Sequence, residues 1–144
     1  MTDALTVARS CAEAMWADDR ASRALGMEIL EIAPGRATLA MTIRETMTNG
    51  HGMCHGGYIF TLADSAFAFA SNGYDQRTVA QHCSVSFLRP VQLGERLIAD
   101  CVERTRAGRG GIYDVSVKLG DGTLIAEFRG HARTIEGTLL NRRK

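Results

Sequence analysis

The stretch Gly56–Ser71 reads GGYIFTLADSAFAFAS, and every position in it is small, hydroxylated or apolar except Asp64. A helix that is apolar on all sides must be buried, because each face has to meet protein rather than water. The run is shorter than the about 20 apolar residues that span a bilayer, and it carries a carboxylate, so its place is the core of a fold rather than a membrane. An ionised group in such a core must be paired, hydrogen-bonded or kept neutral by a raised pKa. Catalytic groups gather at positions of that kind. A structural role for Asp64 stands beside the catalytic one, with its carboxyl satisfied by the hydroxyls of Thr61 or Ser65 or by a facing strand.

Immediately upstream, residues 46–57 read TMTNGHGMCHGG. A loop so rich in glycine lets backbone approach a ligand closely, and it ends in the free amides of a helix start. Such amides stabilise a developing oxyanion, while a carboxylate attacks or activates water. Gly56 and Gly57 precede Asp64 by eight and seven positions, or roughly 10 to 12 Å at about 1.5 Å per residue, so one reacting carbonyl cannot touch both ends. Two copies of the helix running antiparallel across a two-fold axis would bring the amide end of one to the carboxylate of the other. Composite sites in a dimer are the expectation. His51, Cys54 and His55 also suggest zinc ligation, but no partner pair follows at finger spacing. Cys54 with either histidine is a further nucleophile candidate, disfavoured because adjacent side chains rarely face each other, and no GxSxG serine signature is present.

Away from the centre, Thr2 and Asp3 can cap a helix over residues 4 to about 18, with Leu5, Ala8, Ala12, Met15 and Trp16 on its apolar face and the charged run 18–20 as its end. Residues 27–32 and the alternation of Ala37, Leu39, Met41 and Ile43 give two strands around the turn Pro34-Gly35. After the stop at Asn72-Gly73, strands are expected over 79–88, with Val79, Cys83, Val85 and Phe87 on one face, and over 97–104. The next carries Tyr113, Val115, Val117 and Leu119, and the last Leu124, Ala126, Phe128 and Ala132. With no helix between the later strands, a doubly wound parallel sheet is excluded. The expected class is α+β, a curved antiparallel sheet wrapped around the central helix, as one domain over 1–144 with an N-terminal helical segment to about residue 20 and a basic tail over 138–144. Open edge strands in such a sheet invite a second subunit.

The chain has 144 residues, 17 basic and 16 acidic side chains and a formal net charge of +1. That balance argues against nucleic-acid binding, which asks for a basic stripe or patch, and the short tail Asn141, Arg142, Arg143 and Lys144 does not change it. Cys11, Cys54, Cys83 and Cys101 lie far apart without CxxC spacing, and Met1 is followed by Thr2 and Asp3 rather than a charged-then-apolar segment. Reduced thiols and a cytoplasmic setting are expected.

The pattern from Asn49 through His55, Gly56 and Gly57, then Leu62-Ala63-Asp64-Ser65-Ala66, then Phe87-Leu88-Arg89-Pro90, resembles the hotdog-fold acyl-CoA thioesterases, and among them those of bacterial phenylacetic acid degradation. The resemblance implies hydrolysis of phenylacetyl-CoA or its ring-hydroxylated relatives without a metal or redox cofactor. It gives Asp64 the role of nucleophile or general base and the Gly56 amide that of polarising the thioester carbonyl. By the same resemblance His55 shapes the helix start and Asn49 orients water or the thioester. Gly57, Arg89 and the loop 106–111, with Gly110 and Gly111, become candidates for holding coenzyme A. A homodimer with shared sites, assembled as a dimer of dimers, is the implied state. A dehydratase or hydratase of the same fold and a non-catalytic acyl-CoA-binding module remain rival expectations. Tyr58, Phe60, Phe67 and Tyr74 are aromatic side chains that would line an acyl pocket or, equally, pack in the core.

Overall fold

The computed structural model describes residues 3–140. The tail residues Asn141, Arg142, Arg143 and Lys144 and the expected cap at Thr2 lie outside the described residues. Asp3 does cap the first helix, its side chain accepting the Thr6 amide at 2.8 Å, and α1 spans Ala4–Asp18. The charged run at 18–20 ends this first helix as expected, but the chain turns at once into a second helical segment that was not expected. Asp19 accepts the Ser22 amide at 2.9 Å and starts it as a short α2, Arg20–Ala24, because an aspartate one residue before a turn is as good a cap as a stop.

Strands β1 (Glu28–Ala33) and β2 (Arg36–Thr42) form the expected hairpin, and α3 spans Gly56–Ser71. Strands β3 (Thr78–Phe87), β4 (Arg96–Ala107), β5 (Gly110–Leu119) and β6 (Leu124–Thr134) follow. All six pair antiparallel in the order β1-β2-β4-β5-β6-β3, so the strand that follows the helix becomes an edge. One sheet face packs on α3. Leu39, Met41, Leu97, Ala99, Val115, Val117 and Phe128 meet Leu62, Ala63, Ala66 and Phe67 in the core. Burying each large side chain of that set contributes about 1.5–3 kcal/mol. The fit is close: the Phe67 ring lies where a side chain at Gly130 would begin, 2.7 Å from any Cβ there.

Two expectations about α3 and β3 are corrected. The helix is not covered all round: Gly57 is exposed and Thr61, Asp64 and Ala68 are half-buried, forming one open stripe at helical spacing. An all-apolar composition says that a face will be covered, and does not say by which chain. In β3, a bulge at Gln81 between the pairs Ala80 with Ala132 and His82 with His131 shifts the alternation. Val79 therefore leaves the face it was expected to share, and Ala80, Cys83, Val85 and Phe87 take the side of β6 that faces the helix. Most of β3 is exposed, in contrast to every strand inside the sheet. No helix among the described residues is long and apolar enough to cross a membrane, and all four cysteines are free thiols.

Candidate active site

Three features converge at the start of α3. The loop before it is tied down by Asn49, whose side-chain oxygen accepts the amides of His51 at 2.9 Å and Met53 at 3.2 Å. Since two backbone donors fix that oxygen, the Asn49 amide nitrogen points elsewhere and has no partner among the described residues. His55 is the N-cap. Its Nδ1 accepts the Gly57 amide at 3.0 Å, its carbonyl accepts the Tyr58 amide at 3.0 Å, and its own amide donates to the Met47 carbonyl at 2.8 Å. Three of the four groups at this turn are thereby used. The Gly56 N–H is left without an acceptor among the described residues, at the end of a helix where partial positive charge accumulates.

Gly56 and Asn49 line the same open cavity of about 390 Å³ with Met53, Ile59, Phe87, Leu88 and Arg89. The Phe87 ring lies against Gly56, so a Cβ at that position would come within 3.1 Å of the ring. A side chain there would have to push the ring aside by a few tenths of an ångström, whereas glycine leaves the ring in place and the amide open. Arg89 sits at the mouth and donates to the Leu124 carbonyl at 2.8 Å. Gly57, expected to help hold substrate, has its amide occupied by His55. His51 is exposed and contributes its backbone to the loop.

Asp64 lies two turns further along α3, on the border of the open stripe. Phe60 and Phe67 flank it, and both turn toward Phe128 of β6, at 5.4 and 5.8 Å between ring centroids. Burial raises the Asp64 pKa above the ordinary carboxylate range, with no charge or hydrogen bond acting against that rise. The hydroxyls that were candidates to satisfy it are engaged elsewhere: Thr61 donates to the Gly57 carbonyl at 2.8 Å, and Ser65 bonds Ser22 at 2.8 Å. A half-buried carboxylate with no hydrogen-bond partner among the described residues carries a desolvation cost that a substrate, water or second chain could relieve. Its charge reaches the Cys83 thiol of β3 and pushes that thiol's pKa up, after burial as the larger cause. The alternation of Cys83 with Val85 and Phe87 already places the thiol on the apolar face, but only the fold shows that this face brings it to Asp64.

The other candidates separate. Cys54 is buried, its pKa pushed up to about 11 by burial, and its thiol donates to the His55 carbonyl at 3.4 Å, so a thiolate nucleophile is disfavoured. Gly110 and Gly111 belong to the β4–β5 hairpin at the far end of α3, where Arg106 stacks 3.7 Å over the Tyr74 ring and a narrow cleft is lined by Ser71, Arg106 and Arg109. That end is about 23 Å from Gly56 along the helix. Within one chain Arg89 and this hairpin are not brought together. Of the aromatic side chains that would line an acyl pocket, Phe60 flanks Asp64 and the other three are engaged within the chain. Phe67 is core, Tyr74 donates to Glu103 at 2.8 Å, and Tyr58 packs on His55. The cavity wall beside Gly56 comes instead from Phe87 and Leu88 of the FLRP stretch, and the exposure of those two large apolar residues, 51% and 49%, was its sign.

Known proteins share this fold. Residues 51–126 match the Thioesterase superfamily. Over 128 residues the chain is 39% identical to the acyl-coenzyme A thioesterase PaaI of Escherichia coli (strain K12), covering 89% of this chain and 91% of the relative. The solved structure of the E. coli PaaI protein from the phenylacetic acid degradation operon matches with a TM-score of 0.92 at 38% identity, over 94% of this chain and 99% of that one. A mutant structure of phenylacetic acid degradation protein PaaI from Thermus thermophilus matches at 0.78 and 38% identity, over 81% and 100%. With the sheet wrapped on α3 as the hotdog fold requires, the chain belongs to the thioesterase superfamily and is an acyl-CoA thioester hydrolase.

Proposed function

We propose that the substrate is phenylacetyl-CoA or a ring-hydroxylated relative, cleaved to the free acid and coenzyme A in aromatic-acid breakdown. The observation that carries the site is the pair of unmatched groups on α3, a Gly56 N–H without an acceptor and an Asp64 carboxylate without a donor. The thioester oxygen accepts from the Gly56 amide. Asp64 takes a proton from a water that attacks the carbonyl carbon, or attacks it directly to give a mixed anhydride that water then hydrolyses to the free acid; on either route a tetrahedral oxyanion forms and the C–S bond breaks with the electron pair leaving on sulfur. The proton ends on the departing thiolate or in solvent. The unpartnered Asn49 amide nitrogen is available to orient the water or the thioester.

Because Gly56 and Asp64 are about 12 Å apart along one helix, the working site is composite. The β3 edge of one chain pairs with that of a second, the open stripes of the two α3 helices meet antiparallel, and Asp64 of one serves Gly56 of the other. The same arrangement brings the hairpin 106–111 of one chain toward Arg89 of its partner, where arginine and open glycine backbone suit the phosphates of coenzyme A. Two such dimers form the full assembly in a cytoplasmic setting.

The test is release of free thiol from a panel of aryl and aliphatic acyl-CoAs, run in parallel with Asp64→Asn. Phenylacetyl thioesters are expected to lead the panel, and Asp64→Asn to lower turnover by about 100- to 10,000-fold with the fold intact. An unchanged Asp64→Asn rate would move the chemistry elsewhere. Substrate consumption without free thiol would give the dehydratase or hydratase chemistry, and binding without consumption the acyl-CoA-binding role.

A further inference from the structure

We infer that Phe87 is the specificity-determining residue of the acyl subsite, and that the class it selects is an uncharged acyl group carrying a flat apolar ring. The inference rests on the thioesterase reading of Gly56 and deepens it.

The argument is geometric. Three atoms of the Phe87 ring lie 3.1, 3.3 and 3.5 Å from the position a Cβ would take on Gly56. The N–H that is free to bind a thioester oxygen and the ring are therefore attached to, and packed against, the same residue. With Arg89 at the mouth taking the coenzyme A side, a carbonyl whose oxygen accepts from Gly56 sends its acyl carbons into the cavity alongside that ring. The opposite wall is apolar as well, formed by Ile59, which is buried, and by half-buried Met53, with Leu88 at the rim. A ring face beside an aliphatic wall favours a flat group over a flexible chain of equal size, since aromatic pairs gain from offset or edge contact beyond their area. An acyl carboxylate placed there would lose its water against apolar carbon. Other aromatic side chains nearby are committed, Phe60 and Phe67 to Phe128 and Tyr58 to His55. Phe87 is half exposed in the chain alone, which leaves its ring face to be covered by substrate.

The test compares Phe87→Ala and Phe87→Leu with the unaltered protein, measuring kcat and KM for phenylacetyl-CoA and hexanoyl-CoA and the mass of the assembly in solution. The expected result is a fall of at least about 10-fold in the ratio of kcat/KM for the aryl over the aliphatic substrate in Phe87→Ala, the size of effect that a pocket contact commands. The loss is expected mainly in KM, with the assembly mass unchanged. Phe87→Leu, which keeps bulk against Gly56, is expected to lose the ring preference without losing the fold, and it decides the matter where Phe87→Ala does not fold. A ratio that stays within about twofold in Phe87→Leu, or a loss that tracks dissociation of the assembly, overturns the assignment, since Phe87 would then serve packing between copies. Because Asp64→Asn is assayed separately, failure of the Phe87 assignment leaves the hydrolase reading standing, whereas an active Asp64→Asn removes both.

Discussion

The two edges of the sheet are built differently. Strand β1 has six residues, carries Glu28 and Glu31, is bulged between Ile29 and Glu31, and has α1 lying along it, with Ala12 and Trp16 opposite Ile29 and Ile32. Strand β3 has ten residues and no Asp, Glu, Lys or Arg among them, and little of its own chain covers it. Inward or edge charges, short length and a covering helix are the devices by which proteins keep an edge from pairing. One edge has all of them, the other has only its bulge. The open stripe of α3, with Asp64 on its border, lies on the undefended side. The contrast teaches that the uncovered carboxylate and the uncovered strand lie on one side of the molecule, the side that the proposed composite site would cover with a second copy.

The most direct way to break the contrast is to defend β3 as β1 is defended. Ser84 and Ser86 are exposed and point away from α3, so Ser84→Lys with Ser86→Lys adds charge to the edge without touching the core. Sedimentation is expected to show the pair of chains separated, and turnover to fall by at least about 100-fold, as when a general base is removed. The mirror change on β1, Leu30→Lys, is expected to alter neither. Retained activity in a separated Ser84→Lys, Ser86→Lys chain would rule out the composite site.

The central helix was legible because its apolar residues leave no polar face, and the β2, β5 and β6 alternations were legible because those strands are flanked on both sides and buried on one. The edge was less so. Nothing in TVAQHCSVSF marks Gln81 as the bulged residue, since a bulge depends on which residues of β6 stand opposite. Asp64 stood out as a lone charge in an apolar run, whereas the place of His55 at the helix start came only from the resemblance. Phe87 was harder to read, because its neighbour Gly56 is 31 positions away and only the folded sheet brings the ring onto it.

A smaller effect sharpens the defended side. Ser22 is buried and its hydroxyl donates to Asp19 at 2.7 Å while meeting the Ser65 hydroxyl at 2.8 Å, which pins α2 to the back of α3. Replacing Ser22 by Ala leaves a buried hydroxyl short of one partner, and a loss of about 1–3 kcal/mol in urea unfolding is expected. Turnover per folded molecule is expected to hold, because the change lies on the side of α3 that α2 covers and outside the open stripe. A comparable fall in turnover would mean that the two sides of the helix are coupled.

The smallest effect compares two carboxylates shifted in opposite directions. Asp114, on central strand β5, is held at about 2 by hydrogen bonds from Arg129 and then Arg104. Its depressed pKa means that the folded chain gives up this proton more readily than the unfolded one. The stability it contributes is present above the usual carboxylate value of 3.8 and is lost as pH falls through about 2. Asp64 behaves oppositely. Its raised pKa means that the folded chain holds the proton more tightly, so its contribution is present below 3.8 and lost as pH rises through the raised value. Asp114→Asn is therefore expected to destabilise at neutral pH, by about 1 kcal/mol or less because the arginines are solvated, with the difference vanishing in acid. Asp64→Asn is expected to leave neutral-pH stability equal or higher, and to lose its advantage below about pH 4. Unfolding curves for both variants between pH 2 and 7 read the two signs directly, on a scale of roughly 1 kcal/mol. If Asp64→Asn destabilised at neutral pH, the carboxylate would have a partner after all, and the undefended side of the molecule would owe its shape to folding rather than to a second chain.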